Sequence, residues 1–89
     1  MNYELRFSKP SFKFLEKHPK EKKKILEIFK EISNDYEKAL IQYDIKQMKG
    51  TTSDTYRLRI GKYRAIYRLY NDILVIFVID IGSRGDIYK

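Results

Sequence analysis

The 89-residue sequence has no cysteine. Its absence excludes a disulfide framework, a thiolate nucleophile and a cysteine-ligated zinc site. Nothing resembles a P-loop, a Rossmann turn or a zinc motif either, so neither a metal nor a cofactor is implied. Long apolar runs are also missing. The longest, Ile73 to Ile79, is far too short to span a bilayer. The N-terminal segment MNYELRFSKP has no apolar core of the signal-peptide kind. The expected setting is therefore the cytoplasm, away from membranes. There are no repeats and no low-complexity tracts. The length fits one domain over 1–89. A domain this small buries a modest fraction of its surface, so its stability is marginal unless a partner adds to it. A hydrophobic content of 43% still suffices for one compact core rather than a disordered chain.

Against 19 basic side chains there are 12 acidic ones, a net charge of +7. Such an excess suits a polyanionic partner: nucleic acid, the ribosome or an acidic protein. A lysine-rich solvated surface would give the same total. Location separates the two readings better than size does. Most lysines lie in the N-terminal half among glutamates, and Lys20, Lys22, Lys23 and Lys24 read as the wet side of a helix. Arginine is placed differently. Only Arg6 is early; Arg57, Arg59, Arg64, Arg68 and Arg84 fall in the last third. Arginine is the side chain suited to bidentate, partly desolvated phosphate recognition.

Residues 3–7 alternate and predict a strand. Ser8 is placed to cap a helix with Pro10 in its first turn, and that helix should stop near His18 because Pro19 disfavours helical geometry before it. Pro19 opens a second helix, in which Ile25, Leu26, Ile28, Phe29 and Ile32 recur at helical spacing up to Asn34-Asp35. Residues 36–50 read as a short helix or packed connector ending in a strand over Asp44–Met48. A polar loop at 50–54 follows. Three strands come next: Thr55–Ile60, Tyr63–Tyr70 and Ile73–Ile81, with a turn at Asn71-Asp72 between the last two. The third is apolar on both faces and is expected to be central and doubly covered. A turn over Gly82–Asp86 and a short terminal strand, 87–89, complete the chain. The fold class is α+β: an N-terminal strand and a helical hairpin packed on a mainly antiparallel twisted sheet.

The most informative stretch is Thr55 to Leu69, TYRLRIGKYRAIYRL. Gly61-Lys62 suits a two-residue hairpin turn of the Gly-X kind, which sets Ile60 opposite Tyr63. Arg59 then faces Arg64, Leu58 faces Ala65, Arg57 faces Ile66 and Thr55 faces Arg68. Alternation gives one apolar face (Tyr56, Leu58, Ile60, Tyr63, Ala65, Tyr67, Leu69) and one carrying Arg57, Arg59, Arg64 and Arg68. Like charges directly across a hairpin destabilise it. Either acidic side chains from elsewhere neutralise the face, or an external anion does. In the C-terminal half only Asp54, Asp72, Asp80 and Asp86 are available, so internal compensation looks incomplete and a phosphate-binding face is favoured. Asp80 could pair with one arginine. His18, far from the arginines in sequence, reads as a surface or capping residue.

The stretch YRLRIGKYRAIY, the apolar strand after it and the segment GSRGDIY resemble the RelE/ParE toxin superfamily. The N-terminal strand, the two helices and the entry from Lys46 to Gly50 agree, so the resemblance runs the length of the chain. It implies a RelE-like fold and a RelE-type mRNA interferase, the toxin of a type II toxin–antitoxin system. Such an enzyme is a metal-independent endoribonuclease acting on mRNA in the ribosomal decoding site. A ribose 2′-hydroxyl attacks the adjacent phosphate, leaving a cyclic phosphate and a 5′-hydroxyl end. Arg57, Arg59, Arg64, Arg84 and Tyr88 match the catalytic positions, and Arg68, Lys62 and Lys49 are expected to contact RNA. Arg57 and Arg64 would stabilise charge on the attacked phosphate. Arg84 would serve the leaving 5′-oxygen, and Tyr88 would stack on a base or orient the 2′-hydroxyl. Arg59 is suited to electrostatic activation rather than proton removal, because arginine barely deprotonates. The resemblance also implies a monomeric toxin that joins a cognate antitoxin, bearing an amphipathic helical segment, in a hetero-oligomer. The competing readings are a ParE-like toxin directed at DNA gyrase, a non-catalytic RNA- or ribosome-binding module, and an inactive relative that only binds an antitoxin.

Overall fold

Serine and proline placement fixes the first half of the fold. In the computed structural model, which describes residues 2–48 and 54–83, β1 spans Glu4–Phe7 and α1 spans Lys9–Lys17. Ser8 is extended and its side chain accepts the Ser11 N–H, the expected N-cap. The helix ends at His18, whose Nδ1 lies 2.8 Å from the Phe14 carbonyl oxygen. Pro19 starts α2 at once, Pro19–Asn34. Its Ile25, Ile28, Phe29 and Ile32 are buried and its lysines are exposed. Asp35 then caps α3, Tyr36–Gln42, by accepting the Lys38 N–H. The ambiguous connector is thus a helix, and it leads into β2, Asp44–Gln47.

β3 (Thr55–Ile60), β4 (Tyr63–Tyr70) and β5 (Val75–Ser83) follow. The sheet order is β1-β5-β4-β3-β2, with β1 parallel to β5 and every other pair antiparallel. The core joins Leu15, Ile25, Phe29 and Ile32 of the helices to Leu58, Ala65, Tyr67, Ile76 and Val78 of the sheet. The α+β class and the β3–β4 register stand as the sequence implies, pair for pair.

Three expectations about the last long strand change. Ile73 belongs to the turn, not the strand, and is 64% exposed. The turn runs through Leu74, which takes a positive φ of 52° and offers its carbonyl to the Glu4 N–H. Gly82 and Ser83 continue the strand instead of opening a turn. β5 is interior, yet it is not apolar on two clean faces. Tyr67 pairs with Val78 but Ile66 pairs with Asp80, so Ile79 is an extra residue, a β-bulge. The bulge reverses alternation. It turns Asp80 to the side of Ile66 and sends Ile81 into the core at 4% exposure. The carbonyls freed around it are used: Ser8 donates its hydroxyl to Ile79 and its N–H to Val78, and the buried Ser11 hydroxyl lies 3.0 Å from the Val78 oxygen. The rest of the expected turn, 84–86, and the expected terminal strand, 87–89, lie outside the described residues.

Candidate functional site

The β3–β4 turn sets the site. Gly61 has φ +57°, while Lys62 keeps an ordinary negative-side backbone, as a Gly-X turn requires. The turn places Arg59 directly opposite Arg64 and Arg57 opposite Ile66. Arg57, Arg59, Arg64 and Arg68 are all half-buried. Ile66, opposite Arg57 on the same face, is 8% exposed although it lies off the main core. Half-buried as they are, their charges are screened less than in open water. The Nε atoms of Arg57 and Arg59 are shielded from solvent without a hydrogen-bond acceptor, a costly state that an incoming anion would relieve.

A carboxylate reaches Arg57 and Arg59 from outside the hairpin. Asp44 on β2 pairs in register with Arg59. Its Oδ1 accepts a 3.0 Å hydrogen bond from Arg57 and its Oδ2 lies 3.8 Å from Arg59 Nε. Internal compensation is thus partly supplied, and by an acid in the N-terminal half. Strand alternation could have flagged it, because β2 abuts β3 once the connector is read as a strand. Asp80 turns to the arginine side but makes no ion pair among the described residues. Arg68 sits at the far end, its guanidinium carbon 5.7 Å from the Tyr70 ring centroid. Lys62 lies at the turn, its Nζ 5.5 Å from the Tyr63 ring. The structure thus brings Arg57, Arg59, Arg64 and Arg68 together on one face, with Lys62 at its rim. Arg84, Tyr88 and Lys49 lie outside the described residues. No cluster of histidine, cysteine and carboxylate ligands suited to a metal occurs among the described residues, and none of their helices is long and apolar enough to cross a membrane.

The five-stranded mixed sheet and three helices of the described residues form an α+β fold of the RelE-like class. A family model for the ParE toxin of the type II toxin–antitoxin system parDE matches residues 5–88. The RelE–RelB complex of Pyrococcus horikoshii OT3 contains a similar chain, 29% identical with a TM-score of 0.77, the match covering 97% of this chain and 99% of that one. A chain of the RelB–RelE antitoxin–toxin complex from Methanococcus jannaschii is 30% identical with a TM-score of 0.74, covering 93% and 94%. A Methanocaldococcus jannaschii protein that bears the name toxin RelE1 is 40% identical over 48 residues, 54% of this chain. That match spans about half of the curated relative, 52% of its length. The chain belongs to the ParE toxin family of type II toxin–antitoxin systems, within the RelE/ParE superfamily.

Proposed function

We propose that this protein is a RelE-type toxin that cuts mRNA on the ribosome. One observation carries the reading: Arg59 faces Arg64 across the hairpin, with Arg57 on the same face and all three half-buried. Fixed guanidinium donors of this kind favour a phosphate that gains negative charge as it reacts. In the proposed reaction the 2′-oxygen attacks phosphorus, the bond to the 5′-oxygen breaks, and a cyclic phosphate and a 5′-hydroxyl end result. Arg57 and Arg64 hold the phosphate oxygens, and Arg59 favours the developing alkoxide. Arg68, Lys62 and Lys49 track the flanking backbone. Arg84 is assigned to the leaving oxygen and Tyr88 to the base or 2′-hydroxyl, on their match to the family pattern. The hairpin holds charge well but offers no group that takes a proton readily, so the ribosome supplies much of the substrate positioning.

The same reading gives the protein a cytoplasmic setting and an antitoxin partner, since RelB is the partner in the two similar complexes. Phe12, Leu40, Ile41 and Ile73 are 52%, 46%, 89% and 64% exposed. An amphipathic antitoxin segment covering some of them would add the burial that a small domain lacks. The match to the ParE toxin family favours a second reading: a ParE-like toxin directed at gyrase rather than at mRNA. Paired assays separate the two. Translating extract given the protein should accumulate mRNAs cut within codons, while gyrase supercoiling in its presence should stay unchanged. Gyrase inhibition with intact mRNA would reverse the choice, and salt-sensitive RNA binding without cuts would leave a binding module.

A further inference from the structure

The described helices pack against one face of the sheet, where Leu58, Ala65, Tyr67, Leu69, Ile76 and Val78 join the core. Alternation sends their strand neighbours to the other face, and residues paired across strands share a face. That other face carries Arg64, Ile66, Arg68 and Tyr70 along β4. At Arg68 the ladder continues across the sheet. Arg68 pairs with Phe77 of β5, and Phe77 pairs with Arg6 of β1. The row Arg6–Phe77–Arg68 therefore lies on the arginine face, one aromatic residue between two arginines. The neighbours of Phe77 fix its side: Ile76 and Val78 are fully buried in the core, whereas Phe77 is half-buried and outside it.

Arg68 lies on the same strand and face as Arg64, roughly 14 Å further along β4. Arg57, opposite Ile66, stands between the two levels. A strand whose phosphate sits on Arg57 and Arg64 thus reaches Phe77 a short way along the same surface. Arg6 forms a 3.0 Å ion pair with Glu4, but the two side chains are 64% and 59% exposed. Such a pair contributes little and yields to a phosphate at small cost. Aromatic rings beside cationic side chains on a sheet face are the combination that stacks unpaired bases and holds their phosphates. We infer that Phe77 is a base-stacking position and Arg6 a phosphate contact beside it, so that single-stranded RNA runs from the hairpin arginines across β5 to β1. This inference rests on the RNA-directed reading above and extends it to residues beyond the hairpin.

The chain has no tryptophan, so Phe77→Trp supplies a single fluorescent reporter. The test titrates the full chain carrying Phe77→Trp with a short oligoadenylate, and with an abasic oligomer of equal charge. The expected result is quenched emission with the oligoadenylate and little change with the abasic oligomer. In fluorescence anisotropy, Phe77→Leu should bind oligoadenylate about tenfold more weakly than the wild type. Phe77→Tyr keeps a ring and should bind as the wild type does, and neither variant should alter binding of the abasic oligomer. Arg6→Gln should weaken both oligomers and reduce the salt slope by about one. If Phe77→Leu fails to fold, the quenching of Phe77→Trp still decides. A ring that only packs beneath arginine stems predicts wild-type affinity for Phe77→Leu. That result, or equal quenching by both oligomers, would overturn the inference. So would a wild type that binds no RNA at low salt, or quenching by an antitoxin peptide alone, which would give the ring to a protein partner. None of these readouts depends on cleavage. Base-dependent quenching with mRNA left intact would remove the nuclease reading and keep the subsite. Cut mRNA together with wild-type affinity for Phe77→Leu would do the reverse.

Discussion

Asp44 shows how much one side chain can shift the account. The arginine face was legible in the sequence, because strand alternation and a Gly-X turn determine it without tertiary information. Its neutralising carboxylate was not, because Asp44 reaches Arg57 only after a connector of unclear type becomes β2 and pairs in register with β3. Asp44→Ala should lower stability by about 1 kcal/mol, the small value reflecting a carboxylate that is 42% exposed. Chemical denaturation measures this. Asp44→Asn should also raise affinity for single-stranded RNA a few-fold at low salt, an increase that high salt erases. Unchanged affinity would mean that the carboxylate does not compete with phosphate for Arg57.

At the scale of elements, caps and prolines are local signals, and they gave both long helices with their ends. The β5 bulge is not a local signal. Val75 to Ile79 is apolar at every position, so period-two reasoning has nothing to alternate, and the extra residue at Ile79 is set by the serines of the β1–α1 junction. Ser11→Ala should therefore cost about 1 kcal/mol through lost hydrogen bonding to a buried hydroxyl. Thermal unfolding would show it; a neutral result would detach the bulge from that junction. The hairpin turn makes a second demand. A Cβ at Gly61 would meet nothing within 4 Å, so space is not the constraint there, but φ +57° is. Gly61→Ala should cost about 1–2 kcal/mol and lower cleavage by loosening the arginine register.

Across the whole molecule, tyrosines tie the helical layer to the sheet. The Tyr36 and Tyr67 hydroxyls lie 2.8 Å apart, and Tyr67 is fully buried and stacked on Tyr56. Burial pushes Tyr36 up to about 12 and raises Tyr67 as well. A raised folded-state value means that the fold holds the proton more tightly than the unfolded chain does. Stability is then complete below about pH 10, where the unfolded tyrosine ionises. It falls as pH rises from there toward 12. Denaturation midpoints at pH 8, 10 and 11.5 should decline only over the last interval, and Tyr36→Phe should flatten that decline. The molecule's placement of its charge is equally consequential: within a net charge of +7, the sheet gathers four half-buried arginines on one face, which makes an anionic substrate the central claim.

Cleavage of mRNA in a translating extract, mapped by primer extension, tests that claim most directly. Wild-type protein should give cuts within codons that leave 5′-hydroxyl ends. Arg64→Ala should reduce them by about 100-fold or more, the usual loss when one fixed donor to a reacting oxyanion is removed, while its denaturation midpoint stays close to wild type. Cuts of wild-type intensity from Arg64→Ala and from Arg57→Ala alike would contradict the account.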